Sequence, residues 1–455
     1  MAGLKPHEHW TSRFTFLMAA IGAAVGLGNI WRFPFITGAN GGSAFVLVYL
    51  VIIALVALPI LITEIALGRM GKQSPPHALA IVAKRQGRSA RWSIVGWLGL
   101  LAAYLIATYY SVIAGWTISY MFKAGAGLFS GQDATFVAAE FAGLQASPWQ
   151  LILWHGVFQL ITAAILMRGL KNGIEKSAMI LMPLLFLLLL VLVIYSAVEG
   201  DMAAGLHFLF VFDMSAINGK VVLMAIGHAF FSIGVAMGLM LGFGAYLEKD
   251  ISIGSSAVII ASADTLVALI AGIAIFPIVF AHGLDPSEGP GLVFVSLPIA
   301  FGQMPGGLFF GTLFFLLLLF AALTSAIGVL EPLIAWVEES TPLGRKSATA
   351  VISGSIFILG LGTVFSFNIW ADWHPLGFLE RFSGMSFFAT LDYLTANLMM
   401  PLGGFLLAVF AGWLLPVSAL REELGIGRPW LFTAWLWLIR FVAPLSILAI
   451  FLANL

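Results

Sequence analysis

The sequence contains no cysteine, and charged residues fill only 9% of its 455 positions. Without cysteine the chain can form neither a disulfide framework nor a thiolate metal site. Soluble proteins of this length carry about a quarter charged residues. Here 61% of the residues are hydrophobic and the mean hydropathy is +1.05. The composition excludes an ordinary soluble protein and predicts a polytopic membrane protein.

The sequence also lacks the short motifs that carry common enzyme chemistry. It has no G-x-S-x-G nucleophile elbow, no H-E-x-x-H zinc motif and no phosphate-binding P-loop. His155 and His228 have no second metal-type ligand at helical spacing, so neither zinc nor haem is expected. We therefore predict no catalytic residues, no enzyme activity and no ATP-driven pumping.

Apolar stretches near 20 residues, each long enough to cross a bilayer, predict eleven spans. An odd number of spans puts the two termini on opposite sides. Lysine and arginine concentrate in the loops after spans two, four, six, eight and ten, which the positive-inside rule assigns to the cytoplasm. The N-terminus is thus predicted to be cytoplasmic and the C-terminus extracytoplasmic, in the plasma membrane. The spans lie roughly at 13–37, 43–69, 92–122, 150–168, 177–198, 219–246, 254–282, 307–338, 346–367, 384–413 and 430–453.

The first span is interrupted by residues that a continuous membrane helix disfavours. Residues 22–34 read GAAVGLGNIWRFP, with three glycines followed by an asparagine, an arginine and a proline. Lipid offers no hydrogen-bond partners, so irregular backbone persists at membrane depth only where it is buried in protein or lines a wet cavity. Freed carbonyls and amides there can hold an ion or a charged solute. The break therefore predicts a binding site.

A second glycine cluster interrupts the sixth predicted span, where residues 227–244 read GHAFFSIGVAMGLMLGFG. Spans 1–5 and 6–10 would then each begin with a broken helix, in opposite orientations because five is odd. Paired interruptions of this kind point to a binding site at the interface of an inverted repeat. The alternative is that these glycines serve only close helix packing. The predicted single transmembrane domain covers 1–455, with repeats at roughly 10–200 and 218–415 and an extra helix at roughly 430–453.

Five ionisable residues fall within predicted spans and are therefore candidates for function: Arg32, Glu64, Asp264, Glu331 and Asp392. Arg32 and Asp392 both approach the outer side, where they would either pair across a vestibule or snorkel separately to the surface. Glu64 is expected to accept hydrogen bonds from the freed amides of a broken helix, which is a structural role.

A carboxylate, an asparagine carbonyl and freed backbone oxygens form the hard-oxygen donor set that suits Na⁺, and span eight adds two adjacent hydroxyls. Asp264 lies in the middle of span seven, Asn29 follows the glycines, and Thr324 and Ser325 are adjacent in span eight. The alternative for the hydroxyl pair is that each hydroxyl bonds a carbonyl of its own helix.

With these residues in view, the chain resembles the neurotransmitter:sodium symporter family, in particular its prokaryotic amino-acid transporters. Gly22, Gly26 and the run from Leu27 to Pro34 carry the most specific likeness, which extends over all eleven spans. The resemblance implies an all-α, leucine-transporter-like fold, a 5+5 inverted repeat with discontinuous helices 1 and 6. It implies a sodium-coupled symporter that imports a hydrophobic L-amino acid by alternating access.

The resemblance also implies two sodium sites and a substrate site. The substrate carboxylate would meet Tyr110 and amides near Leu27 and Gly28, and its ammonium group would face carbonyls near Ala23 and Phe230. The first sodium site would use Ala24, Asn29, Ser232, Asp264 and the substrate carboxylate. The second would use Gly22, Val25, Ala321, Thr324 and Ser325. The substrate-binding set is Ala23, Ala24, Leu27, Gly28, Ile106, Tyr110, Ile113, Phe230, Phe231, Ser232, Gly234, Met237, Ser325 and Val329.

Two gates and a hinge follow from the same resemblance. Arg32 and Asp392 match the outer gate pair, and Phe231 matches its aromatic lid. The inner gate would use Trp10, Tyr246 and Glu339, with His7 or Lys5 as the cationic partner. The spacing of Gly173 and Pro183 resembles the family hinge at which the inner end of span five unwinds.

Departures from the family pattern predict the substrate. Gly26 stands where monoamine carriers place an aspartate, so the substrate should bring its own carboxylate. Met237 beside Gly234 leaves room for a large apolar side chain, aliphatic or aromatic. Ala268 replaces a hydroxyl on which chloride dependence relies, and His228 replaces the usual glutamine. We therefore expect chloride independence.

Two other functions fit the same residues. A substrate sensor on this scaffold would bind without turnover, whereas a proton-coupled carrier would use Asp264 or Glu64. Accumulation driven by a sodium gradient separates the proposed symporter from both. The residues do not fix which hydrophobic amino acid is preferred.

Overall fold

The computed structural model describes residues 9–287, 289 and 291–454, and all regular elements in these residues are helical. The helices are numbered by the predicted spans. They are α1a (Arg13–Ala24), α1b (Gly28–Ala39), α2 (Ser43–Gly71), α3 (Ala90–Gly125), α4 (Pro148–Leu166), α5 (Leu170–Glu199), α6a (Gly219–Ile233), α6b (Leu239–Ala245), α7 (Ile253–Ala281), α8 (Gly307–Ser340), α9 (Arg345–Ser366), α10 (Phe387–Leu414) and α11 (Pro429–Ala449).

Shorter helices lie in the connections between the membrane helices. On the side predicted to be outside they are Ala134–Ala146, Met202–Phe210 and Leu292–Gln303. On the opposite side they are Pro75–Arg85 and Val417–Leu424. These helices cover the ends of the membrane helices.

Within the described part of the chain, nine helices are long and apolar enough to span a membrane, and the pair α1a and α1b makes up to ten. The two halves of this pair are bent by 49°. The predicted sixth span consists of two separate helices of 15 and 7 residues, so neither half is long enough to count. The total of eleven spans therefore stays a prediction, while the all-helical fold class is confirmed.

The first break falls between α1a and α1b. Val25 takes an extended conformation (φ −68°, ψ 112°), although its N–H still donates to Ile21 O at 2.7 Å. The helix resumes as a wide π-helical turn over Gly28–Arg32. Asn29 Oδ1 accepts the Gly26 N–H at 3.0 Å, so a side chain supplies a partner that the interrupted helix does not.

The second break occupies the residues between α6a and α6b. Gly234 and Gly238 have φ values of +70° and +72°, which glycine adopts without steric cost. Ala236 between them has φ +67°, which is strained for a residue with a β-carbon. Its N–H donates to Glu64 Oε1 at 3.2 Å, and Glu64 is fully buried. The carboxylate on α2 therefore holds the strained turn in place, which is the structural role expected of it.

Small residues let α6b lie directly against α2. A β-carbon on Gly68 would come within 2.0 Å of Leu241 O, and one on Gly244 within 2.5 Å of Ile65 O. The two backbones therefore touch, as is common where glycines line a helix interface in membranes. The long helices α3 and α8 also pack against each other, and α1a lies on α8. Both broken helices are thus held by continuous ones.

Candidate functional site

Three polar side chains converge at the two breaks. Asn29 Nδ2 donates to Asp264 Oδ1 at 2.7 Å, to Asp264 O at 3.0 Å and to Ser232 Oγ at 3.1 Å. Ser232 Oγ donates to Asp264 Oδ2 at 2.7 Å, and the Tyr49 hydroxyl reaches Ser232 Oγ at 3.3 Å. Asn29 and Asp264 are fully buried. The structure therefore brings the predicted side-chain ligands of the first sodium site together, with Asn29 Nδ2 facing the oxygens of Asp264 and Ser232 and Asn29 Oδ1 bonded to the Gly26 N–H.

The Tyr110 hydroxyl on α3 lies next to the unwound part of helix 1. It accepts the Leu27 N–H at 3.4 Å. A β-carbon on Gly26 would come within 3.1 Å of Tyr110 Oη and 2.8 Å of Ser325 Oγ. Gly26, Leu27, Tyr110 and Ser325 therefore surround one small volume. A hydroxyl and the backbone amides of an interrupted helix are the kinds of donor that suit a carboxylate.

The predicted second sodium site lies between α1a and α8. A β-carbon on Gly22 would come within 3.2 Å of Thr324 Cβ and 3.1 Å of Met182 Sδ, so α1a, α8 and α5 meet here. The Thr324 hydroxyl donates to Phe320 O at 3.0 Å and to Ala321 O at 3.2 Å. The hydroxyl thus bonds its own helix, next to the predicted carbonyl ligand Ala321.

The predicted lining of the substrate site is buried and largely apolar. A β-carbon on Gly234 would come within 2.9 Å of Met237 Cε, so the methionine side chain lies over the glycine. The Phe230 ring contacts Gly404 on α10, which leaves its backbone as the part that can face a substrate. Buried members of the set are Ala23, Ala24, Leu27, Gly28, Ile106, Tyr110, Ile113, Phe230, Ser232, Gly234, Met237, Ser325 and Val329.

The predicted outer gate residues lie together above the site. Arg32 Nη1 and Asp392 Oδ1 are 3.6 Å apart, and the Arg32 guanidinium lies 4.4 Å from the centre of the Phe231 ring. The Tyr109 hydroxyl donates to Asp392 Oδ1 at 3.3 Å and lies 3.3 Å from Thr395 Oγ1. The charged pair and the aromatic ring close this side of the site in the structure.

The opposite side is closed by an aromatic cluster around Trp10. Trp10 Nε1 donates to Phe243 O at 3.0 Å, and its ring packs against Phe243 and Tyr246. The Tyr246 hydroxyl donates to Glu331 Oε1 at 3.0 Å. Arg345 from α9 forms an ion pair with the buried Glu331. The N-terminal segment is thereby tied to α6b and α8.

Glu339 bonds the connection between α2 and α3 rather than a described part of the N-terminus. Its carboxylate accepts the Ser74 N–H at 2.8 Å and the Ser74 hydroxyl at 2.5 Å, and lies 2.8 Å from His77 Nδ1. The proposed partners Lys5 and His7 lie outside the described residues. Ser74 and His77 are therefore the observed partners of Glu339.

The predicted hinge in α5 is wound in this structure. Gly173 lies in the π-helical turn Leu170–Glu175, and Pro183 lies inside the following helix Lys176–Glu199. A β-carbon on Gly173 would come within 2.2 Å of Ile165 O, so α5 and the end of α4 touch here. The structure thus shows the closed form of this segment.

The sequence did not assign a gate role to three residues that the structure places beside the predicted gate residues: His77, Arg345 and Tyr109. The pairing of Arg345 with Glu331 could have been predicted from the sequence. An ionisable residue inside a span, such as Glu331, needs a partner, and Arg345 begins the next helix. His77 is separated from Glu339 by 262 positions. Nothing in local spacing connects two residues so far apart.

A buried polar centre that lies where two helices break, and that is closed on both sides, is the architecture of a secondary membrane transporter. The comparisons agree with this class. The sequence profile described as "Sodium:neurotransmitter symporter family" matches residues 7–130 and 139–455. The chain is 35% identical to the uncharacterized sodium-dependent transporter YhdH of Bacillus subtilis, over 99% of this chain and 98% of that protein. An uncharacterized sodium-dependent transporter of Haemophilus influenzae is 34% identical, with 99% of each chain covered.

A solved structure is similar over nearly the whole length. The crystal structure of MhsT in complex with L-phenylalanine has a TM-score of 0.90 and 39% sequence identity, covering 98% of this chain and 100% of that chain. The chain belongs to the sodium:neurotransmitter symporter family. It is a multi-pass, sodium-dependent symporter of this family, with a small-molecule substrate and the leucine-transporter-like fold.

Proposed function

We propose that the protein imports a hydrophobic L-amino acid and couples this transport to Na⁺, which binds at two sites. The observation that carries this proposal is the buried cluster of Asn29, Ser232 and Asp264. Asn29 belongs to the same interrupted stretch as Leu27, whose N–H donates to the Tyr110 hydroxyl. Carboxylate, amide and hydroxyl oxygens are the ligands that a hard cation prefers. The carboxylate of an amino acid bound near Tyr110 would add a further oxygen to the same centre.

The substrate class follows from what surrounds this centre. Ile106, Tyr110 and Val329 share the wall of one small cavity. Met237 and Gly234 provide an adaptable apolar surface, because methionine is flexible and polarizable. A charged side chain would find no partner here and would lose affinity. The relative MhsT, crystallised with L-phenylalanine, supports a large apolar substrate for this chain.

Coupling follows from charge in this proposal. Na⁺ at the first site neutralises the substrate carboxylate, so each ligand raises the affinity of the other by the same factor. Na⁺ at the second site would hold α1a against α8 near Gly22 and Thr324. Loss of this ion would release the inner half of helix 1 and open the site inward. The charge distribution of the loops supports a cytoplasmic N-terminus and an extracytoplasmic C-terminus.

The test is uptake into proteoliposomes under an imposed sodium gradient. Asn29→Ala removes an amide that bonds both Asp264 and Ser232, and we expect sodium-driven uptake to fall about tenfold or more. Asn40→Ala is the matched control, because Asn40 bonds only its own helix at Ile36 O (2.8 Å). Coupled uptake that survives in folded Asn29→Ala would refute the assignment.

The same assay separates the other functions. Binding of substrate without accumulation would support a sensor, and accumulation driven by a pH gradient without sodium would support a proton-coupled carrier. Replacing chloride with gluconate should leave uptake unchanged. Two features support chloride independence: the buried position 268 carries an alanine, and Asp264 already places a negative charge beside the first sodium site.

A further inference from the structure

A cavity of about 430 Å³ opens on the side of the protein that the positive-inside rule assigns to the cytoplasm. Its walls come from four places: the end of α2, the helix Pro75–Arg85, the loop after α6b and the helix Val417–Leu424. None of its lining residues belongs to the substrate, sodium or gate residues described above.

One wall of the cavity is fixed by Arg69, whose side chain is only 5% exposed. Arg69 Nε donates to Glu423 Oε1 at 2.5 Å, and Nη2 donates to the Glu423 carbonyl. Nη1 donates to Ile251 O at 2.7 Å and Glu248 O at 3.2 Å. The guanidinium therefore holds the loop after α6b and the helix Val417–Leu424 against α2, and its own charge is neutralised.

The rim of the cavity carries unneutralised positive charge. Lys72, Arg85 and Lys249 line it and are exposed, and one exposed acid, Glu422, lies among them. In the part of the chain that the structure describes, neither lysine forms an ion pair, and Arg85 uses only Nη1, which donates to Met70 O at 2.9 Å. Three cations without an ion pair and one carboxylate leave a positive rim that suits an anion.

The backbone at Lys72 adds a second observation. Lys72 caps the end of α2 in the left-handed conformation (φ 53°), and its N–H donates to Gly68 O at 2.8 Å. Glycine is the residue that normally ends a helix in this way. Lysine at such a position is strained, and strained backbone is typical of ligand-binding sites.

The apolar part of the cavity lining favours a lipid over a free anion. Met70, Val82 and Ala419 supply an apolar floor beneath the charged rim. The cavity begins where α2 ends at Gly71, and Trp430, 63% exposed, lies in the first turn of α11. Tryptophan at a helix end marks the headgroup level of a membrane. A phosphate with an attached glycerol would use both rim and floor, whereas a free phosphate would use only the rim.

We propose that this cavity binds the phosphoryl headgroup of an anionic phospholipid from the cytoplasmic leaflet. Basic pockets at the cytoplasmic ends of membrane helices bind such headgroups through their phosphate oxygens. The bound lipid contacts α2, Pro75–Arg85, the loop after α6b and Val417–Leu424 together. It therefore stabilises the packing of these elements.

The test measures lipid binding directly, so it does not depend on the transported substrate. The purified full chain is placed in phosphatidylcholine nanodiscs that contain increasing fractions of phosphatidylglycerol. Thermal unfolding in each preparation is followed by tryptophan fluorescence. The double variant Lys72→Ala/Lys249→Ala should need on the order of 20-fold more phosphatidylglycerol for the same stabilisation. The control Lys84→Ala/Lys346→Ala removes two exposed lysines that do not line the cavity and should behave like the unmodified chain.

Variants that should raise or preserve the affinity for phosphatidylglycerol provide a test even if the double alanine variant folds poorly. Glu422→Gln removes the acid on the rim and should raise the affinity for phosphatidylglycerol severalfold, while Lys72→Arg/Lys249→Arg should keep it. Equal losses in the cavity and control double variants would overturn the proposal in favour of diffuse surface charge. Stabilisation by inorganic phosphate in pure phosphatidylcholine, equal to that by phosphatidylglycerol, would overturn it in favour of a free anion.

Discussion

At the scale of single residues, Gly26 shows how closely the side chains of α3 and α8 pack against the break in helix 1. A β-carbon at this position would come within 2.8 Å of Ser325 Oγ and 3.1 Å of Tyr110 Oη. Neither Ser325 nor Tyr110 can easily move aside, because both side chains are buried. The volume that a side chain would fill is the one we assign to the substrate carboxylate.

Gly26→Ala should therefore abolish substrate binding and cost about 1–3 kcal/mol of stability through overpacking. Isothermal titration with L-phenylalanine in sodium, together with a thermal unfolding curve, checks both effects. The matched control is Gly227→Ala in α6a, where a β-carbon would meet nothing within 4 Å. A folded Gly26→Ala protein that binds as tightly as the control would contradict the assignment.

A substitution at Thr324 tests the proposed second sodium site separately from the stability of the fold. Its hydroxyl bonds only carbonyls of its own helix, so Thr324→Ala should change stability by about 1 kcal/mol or less. We expect the sodium concentration for half-maximal uptake to rise about tenfold, since an oxygen ligand is lost. Thr63→Ala is the control, because Thr63 makes the same kind of bond to Pro59 O. An unchanged sodium dependence would remove Thr324 from the site.

The sequence predicts these residues unevenly. Asn29 stands directly after a glycine-rich break, so its place near freed backbone could be inferred locally. Asp264 was a candidate because it is a charged residue inside a span. Ser232 and the grouping of both residues around Asn29 as ligands of one site required the family resemblance, because nothing in local spacing joins spans six and seven to span one. The partners of Glu339 could not be inferred at all. They depend on how the helix Pro75–Arg85 folds back onto α8, which is a tertiary property.

At the scale of elements, the break in helix 6 illustrates the same limit. The glycine cluster at 227–244 predicted an interruption, and the structure places it at residues 234–238. Several glycines in the cluster have ordinary helical conformations, so composition alone could not select the break. The position is set by Glu64 on α2, whose carboxylate accepts the Ala236 N–H.

Relieving the strain at Ala236 should stabilise this element. Ala236→Gly removes a β-carbon at φ +67° and should raise the free energy of unfolding by about 0.5–1 kcal/mol. The same substitution at Ala229, inside the continuous part of α6a, should lower it by about 1 kcal/mol. Thermal unfolding of both variants provides the comparison. Equal destabilisation by the two would mean that the left-handed turn is not present in the folded protein.

At the scale of the whole molecule, the structure is closed on both sides of the polar centre. Arg32, Asp392 and Phe231 lie on one side, and Trp10 with its aromatic neighbours lies on the other. The absence of cysteine makes this arrangement easy to probe, because any introduced thiol is the only one in the chain.

Weakening the outer pair should expose the site. In an Ile113→Cys background, Asp392→Asn should speed labelling by an impermeant thiol reagent about two- to fivefold, as expected for a partly exposed ion pair. Asp372→Asn, which removes an exposed acid from the same side, is the control. Identical labelling rates in the two variants would show that the Arg32–Asp392 contact does not restrict access.

The contact between Met182 and Gly22 has one further consequence. Met182 lies between Gly173 and Pro183 in the sequence. A β-carbon on Gly22 would come within 3.1 Å of its sulfur and 3.2 Å of Thr324 Cβ. In the proposed function, Met182 would therefore lie between the start of α5 and the proposed second sodium site. If the start of α5 unwinds as far as Met182, this side chain must move with it. Local unwinding of α5 and release of Na⁺ from the proposed second site would then occur together. The rate of sodium release would depend on the stability of the first turns of α5.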